Sequence, residues 1–200
     1  MKESGAEARI HTEKNSVIKH RPKKSYRIEA IDKNIRGFRT RRETKILETL
    51  FAKGFPVPEV FSSSDKTMII RMELLKGKKV RDAINSKNCS KLGEEIGRKI
   101  ARLHSEGIIH GDLTTSNMIL TDEVYFIDFG LSFFSTKAED RAVDLHLMKE
   151  TAAGTHPLLS NKFFSAIVKG YKESFPDANS VLERMKAVEE RGRNKKKMSS

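Results

Sequence analysis

The sequence predicts an α+β fold, with a strand-rich first part and a helical second part. Short apolar runs bounded by turn residues, read as strands, all lie before Asp128, and from Asp140 onward helical spacing of apolar residues is the only pattern. A third observation sets the scale: 200 residues, 37% of them hydrophobic, suffice for one domain or two small lobes with a real core.

The elements follow in order. Residues 8–11 and 15–20 read as two short strands, with the polar stretch Thr12–Asn15 as the turn between them. Residues 39–52 carry Ile46, Leu47, Leu50 and Phe51 at helical spacing, and that helix stops at Gly54, ahead of Pro56 and Pro58. Met68–Met72 is a buried-strand candidate. A break at residues 73–78 divides a small N-lobe (1–75) from a C-lobe (76–190). Lys79–Asn85 reads as a short helix. Ser90 then caps a longer one whose Leu92, Ile96, Ile100 and Leu103 form a single stripe, with Gly107 as its stop. Ile108–Ile109, Met118–Leu120 and Val124–Ile127 are short apolar strands around polar turns. Helices are expected at 140–151, 159–175 and 180–190, and residues 191–200 as a flexible basic tail.

Composition removes several function classes. No run of about 18 apolar residues exists to span a membrane. The N-terminal MKESGAEARI lacks the apolar stretch of a secretory signal, so a cytoplasmic location is expected. One cysteine, Cys89, makes neither an internal disulfide nor a cysteine-based zinc site. The net charge of +12 is concentrated in two blocks: residues 19–45 hold eleven Lys/Arg against three acids, and residues 191–200 hold Arg191, Arg193, Lys195, Lys196 and Lys197 with no acid. Such blocks point to a polyanionic partner, nucleic acid before membrane.

The chemistry lies in His110-Gly111-Asp112-Leu113-Thr114-Thr115-Ser116-Asn117, followed by Asp128-Phe129-Gly130. Phosphoryl transfer needs a carboxylate near the acceptor hydroxyl and oxygen ligands for Mg²⁺. Asp112 and Asn117, five apart across a tight loop, supply the carboxylate and one ligand. Asp128, at the end of an apolar strand and just before a glycine, supplies the second. Each piece alone is a common turn; the ordered combination is specific.

The block resembles the eukaryotic-like protein kinase superfamily, with its catalytic loop H-x-D-x₄-N and its metal-binding D-F-G. HGDLTTSN with IDFGLSF, together with SGAEARI, VIKHR and the terminal ERGR before lysines, looks like the PRPK family, the small atypical kinases of the KEOPS tRNA-modification complex. The resemblance runs from Gly5 to about Arg193 and implies a minimal two-lobed kinase-like fold that binds ATP and Mg²⁺, with Mn²⁺ as an alternative ion. By this resemblance Lys19 holds the α- and β-phosphates, Glu43 pairs with Lys19, and Gly5, Ala6, Glu7 and Ala8 form the loop over the phosphates. The Glu73 carbonyl and the Leu75 amide read the adenine edge, while Ile10 and Met118–Leu120 are apolar walls. Asp112 is the catalytic base, Asn117 and Asp128 are the metal ligands, and Asp144 braces the catalytic loop. The implied activity is Ser/Thr phosphorylation or ATP hydrolysis in the assembly that makes threonylcarbamoyladenosine at position 37 of tRNA. The implied partners are a sugar-kinase-like transferase subunit, free or fused, other subunits of the complex, and tRNA through the tail from Arg191 to Lys197.

The departures from the kinase pattern are informative. The phosphate loop has one glycine, and Glu7 places an acid near anionic phosphates, where it either bonds within the loop or pairs with Lys19. Gly111 replaces the arginine that clamps an activation-loop phosphate, and Thr114 stands in place of the catalytic-loop lysine. Thirteen residues separate Gly130 from Asp144, too few for a peptide platform. Two alternatives stay open on sequence: a small-molecule phosphotransferase of the aminoglycoside or choline type, and a tRNA-binding scaffold with vestigial catalysis.

Overall fold

A computed structural model describes the backbone of residues 2–4 and 8–198 and the side chains of residues 8–191. The chain divides into two compact units, Met1–Gly77 with Tyr125–Ser132, and Lys78–Val124 with Phe133–Ser200. The division falls close to the break expected at 73–78, but it assigns the segment around Asp128 to the first unit.

In the first unit, β1 (Lys2–Ser4), β2 (Arg9–Thr12), β3 (Ser16–His20), α1 (Glu29–Ala52), β4 (Val60–Ser64) and β5 (Ile69–Glu73) follow in order. The strands form one antiparallel sheet, β1-β2-β3-β5-β4, in which Lys19 stands opposite Ile10 on one side and Ile70 on the other. The turn after β2 closes by a hydrogen bond from the Glu13 amide to the Ser16 carbonyl, 2.8 Å. Ile46, Leu47 and Leu50 of α1 are buried with Ile70, Met72, Phe55 and Val57, while Phe51 is exposed. The Tyr125–Ser132 segment joins this core: the Phe126 amide donates to the Pro56 carbonyl at 2.9 Å, and the Phe55 and Phe126 rings meet edge-on at 5.5 Å.

Helix α1 begins ten residues before the expected start. In its first half the usual polarity is reversed. Ile31 and Phe38 are exposed, as is Ile28 just before the helix, whereas Asp32 and Thr40 are buried, followed by Glu43. Asp32 is tolerated inside because Arg36 pairs with it at 2.6 Å, one turn on. A search for a buried apolar stripe cannot find such a helix. Strand β4 (VFSSS) escapes for a similar reason, since an edge strand with a polar exposed face shows no alternation.

In the second unit, β6 (Lys78–Lys79), α2 (Val80–Ala83), α3 (Cys89–Ser105), β7 (Ile108–Ile109), a 3₁₀ turn (Thr115–Asn117), β8 (Met118–Leu120), β9 (Val124–Phe126, shared with the first unit), β10 (Phe133–Phe134), α4 (Ala138–Thr155), α5 (Ser160–Ser174) and α6 (Ala178–Met198) follow. Helix α3 opens at Cys89, so Ser90 lies inside it and does not cap it. Its stripe Leu92, Ile96, Ile100 and Leu103 is buried as expected. Helices α3 and α5 pack backbone to backbone: a Cβ on Gly97 would lie 2.1 Å from the Ile167 carbonyl oxygen, and one on Gly170 would lie 2.1 Å from that of Glu94. Any side chain at either position would force the helices apart.

The last helix corrects the expected tail. Helix α6 does not stop near 190 but continues to Met198, and Arg191 is held against Glu139 of α4 at 2.7 Å. Gly192 does not break it, because one glycine inside a helix costs only about 1 kcal/mol.

Candidate functional site

Each unit carries its own polar cluster. In the first, Lys19 of β3 and Arg21, just past the strand end with its amide on the Met68 carbonyl at 3.0 Å, both reach side chains of α1. Helix α1 answers with Arg36, Thr40 and Glu43, which share a face at spacings of four and three. Lys19 Nζ lies 2.8 Å from Glu43 Oε1 and 2.7 Å from Asp128 Oδ1, and Arg21 takes the other oxygen of Glu43. Lys19, Arg21 and Glu43 are almost fully buried, while Asp128 is about half exposed. Burial pulls the Lys19 pKa down, but the charges of Glu43 and Asp128 outweigh it, so the ammonium is held above its ordinary 10.5. Asp128 sits in the left-handed region at φ +62°, uncommon outside glycine and costly unless surroundings enforce it. Its Oδ1 also accepts from the Gly130 amide at 3.3 Å, which fixes the turn.

In the second unit the catalytic-loop candidates form one hydrogen-bonded loop. Asn117, closing the 3₁₀ turn, donates from Nδ2 to the Asp112 carbonyl at 2.9 Å and to Asp112 Oδ2 at 2.8 Å. With Nδ2 so engaged, the amide oxygen of Asn117 is the atom left to face a cation. The loop hangs on Asp144, almost fully buried, which accepts from the His110 amide at 2.7 Å and the Gly111 amide at 2.9 Å. Gly111 has φ +76°, so the residue standing where the kinase pattern has arginine is also one the backbone there favours as glycine.

Behind Asp144 stands a buried relay. His104 Nε2 is 3.4 Å from Asp144 Oδ2, and His104 Nδ1 is 3.0 Å from the Tyr171 hydroxyl. An ionised carboxylate only accepts, so Nε2 carries the proton and Nδ1 accepts from Tyr171. Burial lowers the His104 pKa against the pull of Asp144, and burial raises that of Tyr171.

The other sequence candidates fall as follows. Ala8 and Ile10 are half-buried, whereas Gly5, Ala6 and Glu7 lie outside the described residues. Glu73 ends β5, with its amide on the Glu59 carbonyl at 2.8 Å; the Leu75 carbonyl accepts from the Gly77 amide at 3.2 Å. Met118 is wholly buried and belongs to the core, while Ile119 and Leu120 are half-buried. Arg191 is paired with Glu139; Arg193, Lys195, Lys196 and Lys197 lie on helical backbone, with side chains outside those described. Sequence reasoning missed Arg21, His104 and Tyr171. For Arg21 a signal existed: it lies two residues after Lys19, one strand period on.

Could this set hold a metal? Among the described residues no cluster of three His, Cys, Asp or Glu side chains exists. Mg²⁺ needs none, since it is commonly held by one or two protein oxygens, substrate phosphates and water. The partly exposed carboxylate of Asp128 and the amide oxygen of Asn117 are hard donors of the right kind.

A family model described as the RIO domain matches residues 7–144. The KEOPS complex subunit Bud32 of Pyrococcus abyssi is 40% identical, over 94% of this chain and 93% of that protein. A probable serine/threonine-protein kinase, the BUD32 homolog of Archaeoglobus fulgidus, is 38% identical over 98% and 96%. A probable bifunctional tRNA threonylcarbamoyladenosine biosynthesis protein of Methanothermobacter thermautotrophicus is 40% identical, over 94% of this chain and 35% of its own length. Among solved structures, the Rio2 kinase of Chaetomium thermophilum in its ADP/Mg²⁺-phosphoaspartate complex matches with a TM-score of 0.65 at 17% identity, over 95% of this chain and 70% of that one. That likeness establishes the protein-kinase-like fold.

Proposed function

Because the chain belongs to the RIO-domain family and, within it, to the Bud32 group, we propose that it is an atypical Ser/Thr kinase and ATPase of the KEOPS complex, serving threonylcarbamoyladenosine formation on tRNA. The observation that carries the chemistry is Lys19, buried between the carboxylates of Glu43 and Asp128. A buried ammonium held charged by two carboxylates suits a phosphate site: incoming phosphate oxygens can replace Asp128 as partners of the Lys19 ammonium, while Glu43 keeps Lys19 in place.

The roles follow residue by residue. Lys19 binds the α- and β-phosphate oxygens, with Ala8 and the loop Gly5–Glu7 beside them. Ile10, the Glu73 carbonyl and the Leu75 amide receive the adenine. Asp128 and the amide oxygen of Asn117 hold Mg²⁺, or Mn²⁺ in its place, which neutralises phosphate charge when bound. Asp112, steadied by Asn117 Nδ2, orients a hydroxyl or water and accepts its proton as the new O–P bond forms and the bond from the γ-phosphorus to the bridging oxygen breaks. The short segment after Gly130 favours ATP hydrolysis over peptide phosphorylation.

The bifunctional relative supports a transferase subunit as the direct partner, since a chain of this kind and a threonylcarbamoyladenosine biosynthesis activity there share one polypeptide. The basic blocks support tRNA as the polyanion. Among the described residues no helix is long and apolar enough to cross a membrane, and we place the protein in the cytoplasm. The relatives favour this reading over a small-molecule phosphotransferase. Release of labelled phosphate from γ-labelled ATP, measured alone, with tRNA, and with a transferase subunit of the complex, tests it. Turnover that rises on adding tRNA and partner is expected; turnover that responds instead to aminoglycosides or choline would replace it.

A further inference from the structure

One buried cation has no part in the chemistry above. Arg21 is 2% exposed and follows directly on β3, two residues after Lys19. Its guanidinium pairs with Glu43 Oε2 while Lys19 holds Oε1, so a single carboxylate serves two buried cations. Arg21 Nη1 reaches the Thr40 hydroxyl at 3.4 Å, and its carbonyl accepts from Arg36 Nη1 at 3.1 Å, both from α1. On its other side the guanidinium lies against Gly130. A Cβ there would stand 2.9 Å from Arg21 Nη2 and 3.1 Å from Asp128 Oδ1. Residue 130 must lack a side chain for Arg21 to stay where it is.

Resting on the functional reading above, we propose that Arg21 is a positioning residue, clamping Glu43 on α1 and the Asp128–Gly130 turn together so that Lys19 is presented between two fixed carboxylates. Lysine is a point charge on a flexible stem, so its partners decide where it sits; the planar guanidinium can hold Glu43 and Thr40 at once. Arg21 also gives Glu43 a second buried counter-charge, so that the carboxylate stays compensated while Lys19 shares its charge with phosphates. The cluster has two cations and two carboxylates, and Arg21 is the cation with no proposed contact to nucleotide or metal.

The test uses the full chain as wild type, Arg21→Lys, Arg21→Met, Gly130→Ala and the Arg21→Met/Gly130→Ala double variant. Arg21→Lys keeps the charge and loses the fork. It should lower kcat for ATP about tenfold, with KM for Mg-ATP within about twofold, because placement in the transition state suffers more than binding. A packing role alone would lower Tm and leave kcat per folded molecule unchanged. Gly130→Ala should cost a similar factor in the wild type and clearly less in Arg21→Met, where the guanidinium it strikes is gone and only the 3.1 Å approach to Asp128 Oδ1 remains. If Arg21→Met does not fold, the same cycle is run on Arg21→Lys, whose ammonium withdraws from Gly130. Hydrogen exchange of peptides containing Glu43 and residues 128–131, measured without nucleotide, should quicken together in Arg21→Lys. No ATP turnover by the wild type would overturn the functional reading, and the exchange result would then decide on Arg21 alone. Unchanged kcat with unchanged exchange, or additive losses in the cycle, would overturn the proposal.

Discussion

Both polar clusters bury charge, and they compensate it by different means. In the first unit Lys19 and Arg21 are balanced by Glu43 and Asp128, side chain against side chain. In the second, Asp144 is held by two backbone amides and a neutral imidazole. The difference separates two tasks. Ion pairs between side chains can exchange partners, which suits the phosphate and cation binding proposed for this cluster. A carboxylate bonded to backbone amides fixes the chain itself, which suits a loop that must hold Asp112 and Asn117 at one geometry.

The sharpest way to break the comparison is at Asp144. Asp144→Ala removes two charge-assisted hydrogen bonds and leaves the amides of His110 and Gly111 buried without a partner, so a loss of roughly 3–5 kcal/mol is expected. Denaturant unfolding measures it. A loss below about 1 kcal/mol would mean that the loop does not hang on this residue.

A smaller effect probes the imidazole. Because His104 has a folded pKa below its ordinary 6.5, the unfolded chain takes up the proton more readily. The stability linked to His104 is therefore fully present above about pH 6.5 and lost as pH falls through the depressed folded pKa. His104→Gln removes this linkage, so the stability gap between wild type and variant should narrow on acidification below pH 6.5. A gap constant from pH 7.5 to pH 5 would show that His104 does not titrate differently on folding.

The smallest effect belongs to the surface. The Arg191–Glu139 pair is exposed, and such pairs contribute about 0–1 kcal/mol. Truncation after Glu190 should barely move Tm, yet weaken tRNA binding and flatten its dependence on salt, since each neutralised phosphate releases counterions. The same affinity and salt slope after truncation would make the end of α6 a solvated helix only.

Much of this was legible in the sequence where local chemistry and topology agree. The strand bearing Lys19, the loop from His110 to Asn117 and the turn at Asp128 all show as apolar runs meeting polar residues, and each forms at or within two residues of where it is expected. Asp144 too was expected, though through the resemblance to kinases, since an acid early in a helix has by itself a plain reading as a partner of the helix N-terminus. What stayed hidden rests on buried charge. From Asp32 to Glu43, α1 buries Asp32, Thr40 and Glu43 and leaves Ile31 and Phe38 exposed, so hydrophobic periodicity points the wrong way. Arg21 reads as one basic residue among eleven in its block until its burial is seen. The tail was misread because a lysine-rich end with one glycine looks flexible, although Arg191 and Arg184 both engage Glu139 and extend the helix.

The central claim is that the Lys19–Glu43–Asp128 cluster and the Asp112–Asn117 loop serve phosphoryl transfer from ATP. It is tested most directly by measuring ATP turnover and Mg-dependent nucleotide affinity on wild type, Asp112→Ala and Asp128→Ala side by side. Both variants should lose turnover by about a thousandfold or more. Asp112→Ala should still bind Mg-ATP within a few-fold of wild type, because its role is on the acceptor side, whereas Asp128→Ala should lose the Mg-dependent part of its affinity. Turnover near wild type in either variant, or Mg-dependent binding intact in Asp128→Ala, would contradict the account.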